Sequence, residues 1–139
     1  KHPEWFDRYP KFSNTLAKVL SSSDKLQAAA TIEQIQNQEK MLGFTLPAKV
    51  REFFLLTAGI SISSGVSIEL SGLFDITIHG ARYCVLGEFW KEADGDQLML
   101  LPGEETIWYY AHEHDKVKRL CSDMTELLEK KLSRYLNQD

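Results

Sequence analysis

The sequence lacks any apolar run that approaches the roughly 20 residues of a transmembrane helix. It also lacks a visible secretory leader, although a leader that had been removed would leave no trace. The chain begins at Lys1 rather than Met, as in a processed or trimmed fragment. Because no apolar run is long enough to span a bilayer, we expect no membrane partner.

Cysteine is scarce as well. Only Cys84 and Cys121 are present, and they do not have CxxC spacing. A disulfide would need an oxidising compartment, of which the sequence gives no sign. The sequence therefore predicts two buried, reduced thiols in a cytoplasmic protein.

Positive charge is not in excess, because 16 basic residues stand against 20 acidic ones and the net charge is −4 at pH 7. A protein that binds nucleic acid by neutralising phosphates has the opposite balance. The composition thus predicts no nucleic-acid partner. The small acidic excess favours a basic partner only weakly.

The common catalytic motifs are also missing, since the sequence has no GxSxG, P-loop, GxGxxG or HExxH pattern. One cluster carries metal-binding side chains: in a strand, His112 and His114 would share a face, with His79 as a third ligand. We expect a polar turn at a strand end instead, and so no metal, no cofactor and no enzyme activity. A small metal-dependent hydrolase that uses His112 and His114 remains an alternative.

The residues that are present suit a compact fold. A chain of 139 residues with 43% hydrophobic and 26% charged residues can bury a core without disulfides. We predict a single domain over residues 1–139, in which residues 1–30 form a helical N-terminal extension. Its aromatic side chains are expected to cover the core: Trp5, Phe6, Tyr9 and Phe12.

Next come two predicted helices with clear start and stop signals. Thr31 and Gln34 form a capping-box pattern before a helix over 32–42, and Gly43 suits its C-terminal cap. Glu39 falls on the same face as three apolar residues, Ile32, Ile35 and Leu42. A carboxylate there needs a partner, so we expect it to bind backbone N–H groups of residues 46–49 or a nearby basic side chain.

The second helix of this corner has Pro47 in its first turn and Gly59 as its expected end. Its buried stripe repeats at helical spacing: Val50, Phe53, Phe54 and Thr57. We expect Phe53 and Phe54 to dock on a sheet formed by the rest of the chain.

From residue 61 onward the sequence pattern is typical of short strands separated by turns. Strand candidates are residues 66–70, 74–80, 81–90, 96–101 and 106–112. Asp94 and Asp96 flank Gly95, but the rest of a calcium loop is missing, so a hairpin turn is expected. A C-terminal helix follows Ser122. The predicted fold is α+β, with helices packed on one side of an antiparallel sheet of about five strands.

The helix corner resembles that of the SUKH superfamily, which includes bacterial immunity proteins and fungal cell-wall synthesis regulators. The matching residues are Glu39, Leu42, Gly43, Leu46, Pro47, Val50, Phe53 and Gly59. Three later stretches match in order: residues 94–98, 107–113 and 120–128, although Met124 stands where an aromatic residue is common. The similarity covers roughly residues 31–136.

The resemblance implies protein binding rather than chemistry. It implies most specifically an immunity protein that neutralises a cognate toxin, often a nuclease, encoded nearby. A regulatory interaction module of the cell-wall synthesis regulator type is the alternative. The sequence leaves the oligomeric state open.

Carboxylates in the strand-linking turns are our candidates for partner contact, with two tryptophans as apolar anchors. The candidate residues are Glu88, Trp90, Glu92, Asp94, Asp96, Glu104, Glu105, Trp108, Glu113 and Asp115. The alternative is that these carboxylates are ordinary solvated turn residues.

Overall fold

The computed structural model describes residues 3–137, and among their side chains it leaves out those of Pro3, Glu4 and Phe6, the last of which we predicted to cover the core. Within this range, no helix is long and apolar enough to cross a bilayer. The elements in chain order are α1 (Pro3–Arg8), α2 (Pro10–Val19), β1 (Lys25–Leu26), α3 (Ile32–Leu42), α4 (Ala48–Phe54), β2 (Gly59–Ile62), β3 (Val66–Glu69), β4 (Phe74–Ile78), β5 (Ala81–Phe89), β6 (Gln97–Leu100), β7 (Ile107–Ala111), β8 (Lys116–Cys121), α5 (Met124–Glu126) and α6 (Ser133–Leu136). A π-helical segment, Leu127–Leu132, joins α5 to α6, and the three together are called the C-terminal helix.

The α+β prediction is confirmed, but the sheet is larger than expected. Its eight strands, all paired antiparallel, run in the order β1-β2-β3-β5-β6-β7-β8, and β4 pairs with β5 beside β3. The five predicted strands are present with slightly shorter bounds. The missed strands are β1, β2 and β8. We had assigned the start of β2 to a helix end, and the charged sequence of β8 has no clean alternation.

The main core lies between the helices and one face of the sheet. Helical residues such as Phe12, Val50 and Leu128 are buried in the same cluster as Ile68 and Leu98 of the sheet. Cys84 and Cys121 lie in this cluster as free thiols. Burial raises the pKa of each thiol to about 12.

The other face of the sheet encloses a second, smaller core that contains no helical residue. Ile78, Tyr83, Val85 and Met99 are buried there, and Met99 has no exposed surface. The strand registers place the β4–β5 turn and the β7–β8 turn at opposite ends of the sheet. Nevertheless His79 Nε2 of the first turn lies 3.0 Å from Asp115 Oδ2 of the second. The sheet therefore curls over this face, as strand twist and the register shift between Val85 and Gly87 allow.

The helix corner forms as the local sequence predicts. The Thr31 side chain accepts from Gln34 N–H, Gln34 accepts from Thr31 N–H, and Gly43 has a left-handed φ of 64°. Glu39 Oε2 accepts from Leu46 N–H at 2.8 Å and from Arg51 Nε at 2.9 Å. Both predicted kinds of partner are thus present.

Two details of the corner differ from expectation. Ile32 is 61% exposed, so the apolar face of α3 begins one turn later, at Ile35. Helix α4 ends at Phe54, before Gly59, which we expected to end it. Gly59 instead begins β2, where a Cβ atom would lie 2.9 Å from Ile68 O of the neighbouring strand. Close backbone approach, rather than a helix stop, explains that glycine.

Phe53 joins the corner to the N-terminal helices. Its ring centroid lies 6.0 Å from that of Trp5 and 6.5 Å from that of Tyr9. It also contacts Phe54 edge to face at 5.4 Å. Because all four rings are buried in the main core, residues of the N-terminal extension are part of that core.

Replacing Glu39 with Ala should lower the free energy of unfolding by about 1–3 kcal/mol, because Leu46 N–H and Arg51 lose their acceptor. Urea denaturation measures the change. Gln36→Ala, at an exposed position of the same helix, is the control. An unchanged midpoint for Glu39→Ala would mean that the carboxylate is merely solvated.

Phe53→Ala should lower the free energy of unfolding by about 3–5 kcal/mol, because it leaves a cavity among three buried rings. The matched control is Leu55→Ala, since Leu55 is half-exposed just beyond the same helix. Thermal unfolding followed by circular dichroism compares the two. Equal melting temperatures would contradict an anchoring role for Phe53.

Candidate partner-binding surface

The predicted contact residues lie at two ends of the sheet, not on one patch. Gln97 is paired with both Glu88 and Tyr110, so the β5–β6 turn and the β7–β8 turn emerge at the same end. We call these two turns, residues 90–96 and 112–115, the acidic rim. Glu104 and Glu105 lie in the β6–β7 turn at the opposite end, away from the rim.

Asp96 is not a contact residue, which corrects our prediction. Its exposed fraction is 0%, and its carboxylate receives four hydrogen bonds. Oδ2 accepts from Tyr109 Oη at 2.5 Å and from Ala93 N–H at 3.0 Å. Oδ1 accepts from His112 N–H at 3.1 Å and lies 2.6 Å from His112 Nδ1.

These hydrogen bonds keep Asp96 ionised. Burial by itself raises the pKa of a carboxyl group, but the donors Tyr109, His112 and Ala93 outweigh burial and hold the pKa of Asp96 below its usual value. An ionised carboxylate only accepts hydrogen bonds, so His112 Nδ1 carries a proton. The charge of Asp96 therefore ties one turn of the rim to the other.

Tyr109 extends the same network, a role that no pattern in the sequence indicates. Its hydroxyl donates to Asp96 and accepts from Glu92 N–H at 2.8 Å. Burial and the bond to Asp96 raise the pKa of Tyr109, so the phenol remains a neutral donor. Alternation along β7 places Tyr109 on the main-core side, but only the fold shows that it reaches into the turn.

Above this buried support, the carboxylates of the rim face solvent. Asp94 and Glu113 are exposed and have no hydrogen-bond partner among residues 3–137. Glu92 forms an ion pair with Lys118 at 2.8 Å. Asp115 accepts from Tyr110 Oη at 2.6 Å and pairs with His79. The rim thus presents four exposed carboxylates in fixed surroundings.

The two predicted tryptophan anchors are largely used by the protein itself. Trp90 Nε1 donates to Glu88 at 2.8 Å, and a Cβ atom at Gly65 would meet the Trp90 side chain at 2.8 Å. Trp108 packs against the second core, where its buried Nε1 has no hydrogen-bond partner among the described residues. Both side chains are half-buried, so only part of each ring faces solvent.

The histidines predicted as an alternative metal site are not brought together. His112 binds Asp96, whereas His79 pairs with Asp115. β7 ends at Ala111, so His112 and His114 occupy a turn rather than one face of a strand. Across residues 3–137, no cluster of three or more His, Cys, Asp or Glu side chains has metal-binding geometry.

A family model, that of the SMI1/KNR4 family (SUKH-1), matches residues 29–130. The matched range contains the helix corner, strands β2–β8 and both turns of the acidic rim, and it leaves out α1, α2, β1 and α6. No curated protein matches the chain.

Asp96→Asn should destabilise the protein most at neutral pH and least in acid. A carboxyl group whose pKa is lowered by folding stabilises the fold above its unfolded-state pKa, about 4, and loses that contribution as pH falls through the lower folded value. The unfolding free energies of the parent and the variant should therefore converge below pH 4. Urea denaturation between pH 2.5 and 7 measures this, with Asp94→Asn as control. If the difference in unfolding free energy between parent and variant does not narrow in acid, Asp96 does not stabilise the fold as an ionised carboxylate.

Proposed function

The chain belongs to the SMI1/KNR4 family (SUKH-1), and we propose that it is an immunity protein that binds a cognate toxin through its acidic rim. Membership supports a protein-interaction domain of the SUKH kind, and the family is generally non-catalytic. The toxin as partner and the rim as its binding surface are the parts that we propose.

The observation that carries this proposal is the buried Asp96 carboxylate beneath the rim. It joins Ala93 of one turn to His112 of the other through hydrogen bonds of 3.0 and 3.1 Å. Surface loops ordinarily lose conformational entropy on binding, and loops already held in place lose less. Rigid support below an exposed charged surface is the arrangement that partner recognition requires.

The charge of the rim indicates the kind of partner. Glu92, Asp94, Glu113 and Asp115 are exposed, and the rim's basic side chains are Lys91 and two histidines. A nuclease toxin binds a polyanion and therefore tends to have a basic surface around its active site. Carboxylates in fixed positions would steer the encounter and then cover that surface.

Binding to the product of an adjacent toxin-like gene tests the proposal. Replacing both Asp94 and Glu113 with Ser removes two exposed charges that make no hydrogen bonds in the described residues. We expect about tenfold weaker binding in 50 mM salt, a smaller salt dependence and an unchanged melting temperature. The control is Glu33→Ser with Asp7→Ser, which changes the net charge equally at two exposed positions away from the rim.

The outcomes separate the role from the surface. If the chain binds no adjacent gene product and does not protect cells against one, the immunity role is wrong, and a regulatory interaction module becomes the better reading. Tight binding that is equally insensitive to salt and to the rim variant would keep the immunity role and move its interface elsewhere.

A further inference from the structure

Within residues 3–137 the sheet has three free edges, and two of them are protected. β1 has only two residues, so it offers little backbone to a further strand. β8 has six residues but carries three exposed cations, Lys116, Lys118 and Arg119. Short length and lysine side chains are the usual ways in which proteins prevent strands from adding to a sheet.

The third edge, β4, has neither protection. It contains three side chains with high strand preference, Ile76, Thr77 and Ile78, and Phe74 is 45% exposed at its start. Its one charge, Asp75, is held by Arg82 of the neighbouring strand at 3.0 Å. No backbone hydrogen bond reaches β4 from any described segment other than β5.

Hairpin geometry identifies the backbone groups that face outward. β4 and β5 are joined by the two-residue turn His79–Gly80, in which both residues have positive φ, 53° and 81°. In such a turn the flanking pair, Ile78 and Ala81, exchanges hydrogen bonds, and the exchange recurs at every second pair. The N–H and C=O groups of Asp75 and Thr77 therefore point away from β5, toward the free edge.

We propose that the free edge of β4 receives an extended segment of the partner protein, which adds a ninth strand to the sheet. The segment would place apolar residues beside Phe74 and Ile76 and a basic residue at the His79 end, where Asp115 and Glu113 supply negative charge. This inference rests on the proposed function, because the segment belongs to the protein that binds the acidic rim.

The size of the edge argues for such a segment rather than for a second copy of the chain. Five residues span only about 17 Å, and a contact along one strand of that length is too small to bury the roughly 800 Å² that each partner contributes to a standard interface. A dimer formed through β4 alone would be weak. The edge can instead add buried area to a larger interface. The contact between His79 and Asp115 makes the β4 edge continuous with the acidic rim.

A designed peptide tests the edge without any toxin. The probe is an N-acetylated peptide with two N-terminal lysines followed by alternating valine and threonine, and the control peptide has proline at the central valine. Titration of the ¹⁵N-labelled full chain should shift the amides of Asp75 and Thr77 and slow their hydrogen exchange. Glutamates in place of the two lysines should weaken binding at low salt.

Variants of the chain make the test specific. Thr77→Pro removes one outward N–H without touching the ladder to β5, and should weaken peptide binding about fivefold or more. Thr77→Val keeps that N–H and should bind like the parent. Phe74→Ser, at an exposed position, should also weaken binding and serves if the proline variant does not fold.

Three results would overturn the proposal. The first is that the amide signals of Asp75 and Thr77 do not shift with millimolar peptide. The second is that the peptide shifts amides of β1 or β8 instead. The third is that sedimentation velocity shows self-association of the chain and that this protects the same two amides. Peptide pairing at β4 together with a failed toxin assay would remove the immunity role alone. Toxin binding that leaves the Asp75 and Thr77 amides unprotected would remove only the role of β4.

Discussion

A buried negative charge is stable only where several donors converge on it, and Asp96 has four such donors. This requirement fixes more than one residue. It sets the path of the β5–β6 turn through Ala93, the side-chain position of Tyr109 and the start of the β7–β8 turn at His112. The two turns that carry the exposed carboxylates are joined by this one interior charge.

The second constraint is the close approach of strands around Gly87. A Cβ atom there would lie 2.0 Å from Ser67 O, so that only glycine permits this packing of β3 against β5. The register shift at the same place turns the remainder of β5, and with it β4, across the helix-free face. The small core around Met99 and the contact between His79 and Asp115 both follow from that turn.

The parts of the fold that sequence reasoning predicted are those with short-range causes. Thr31, Gln34 and Gly43 act within a few residues of themselves, and Glu39 reaches partners 7 and 12 residues away. The burial of Asp96 has no such signal, because an Asp-Gly-Asp turn has the same sequence whether its carboxylate faces water or binds Tyr109 and His112, which lie 13 and 16 positions later. The strand β8 was missed for a related reason. Its lysines are those of an edge, and edge position is a property of the assembled sheet.

The two buried cysteines make opening of the main core measurable by thiol labelling. Thiols react as thiolates, and burial keeps Cys84 and Cys121 protonated and out of contact with reagents while the core is closed. The rate at which each thiol is labelled therefore reports how often the main core opens around it. Cys84 reports on β5, and Cys121 reports on the end of β8. A fluorophore attached through a cysteine introduced on the rim would meanwhile report on the surface alone, because the native thiols stay silent in the folded chain.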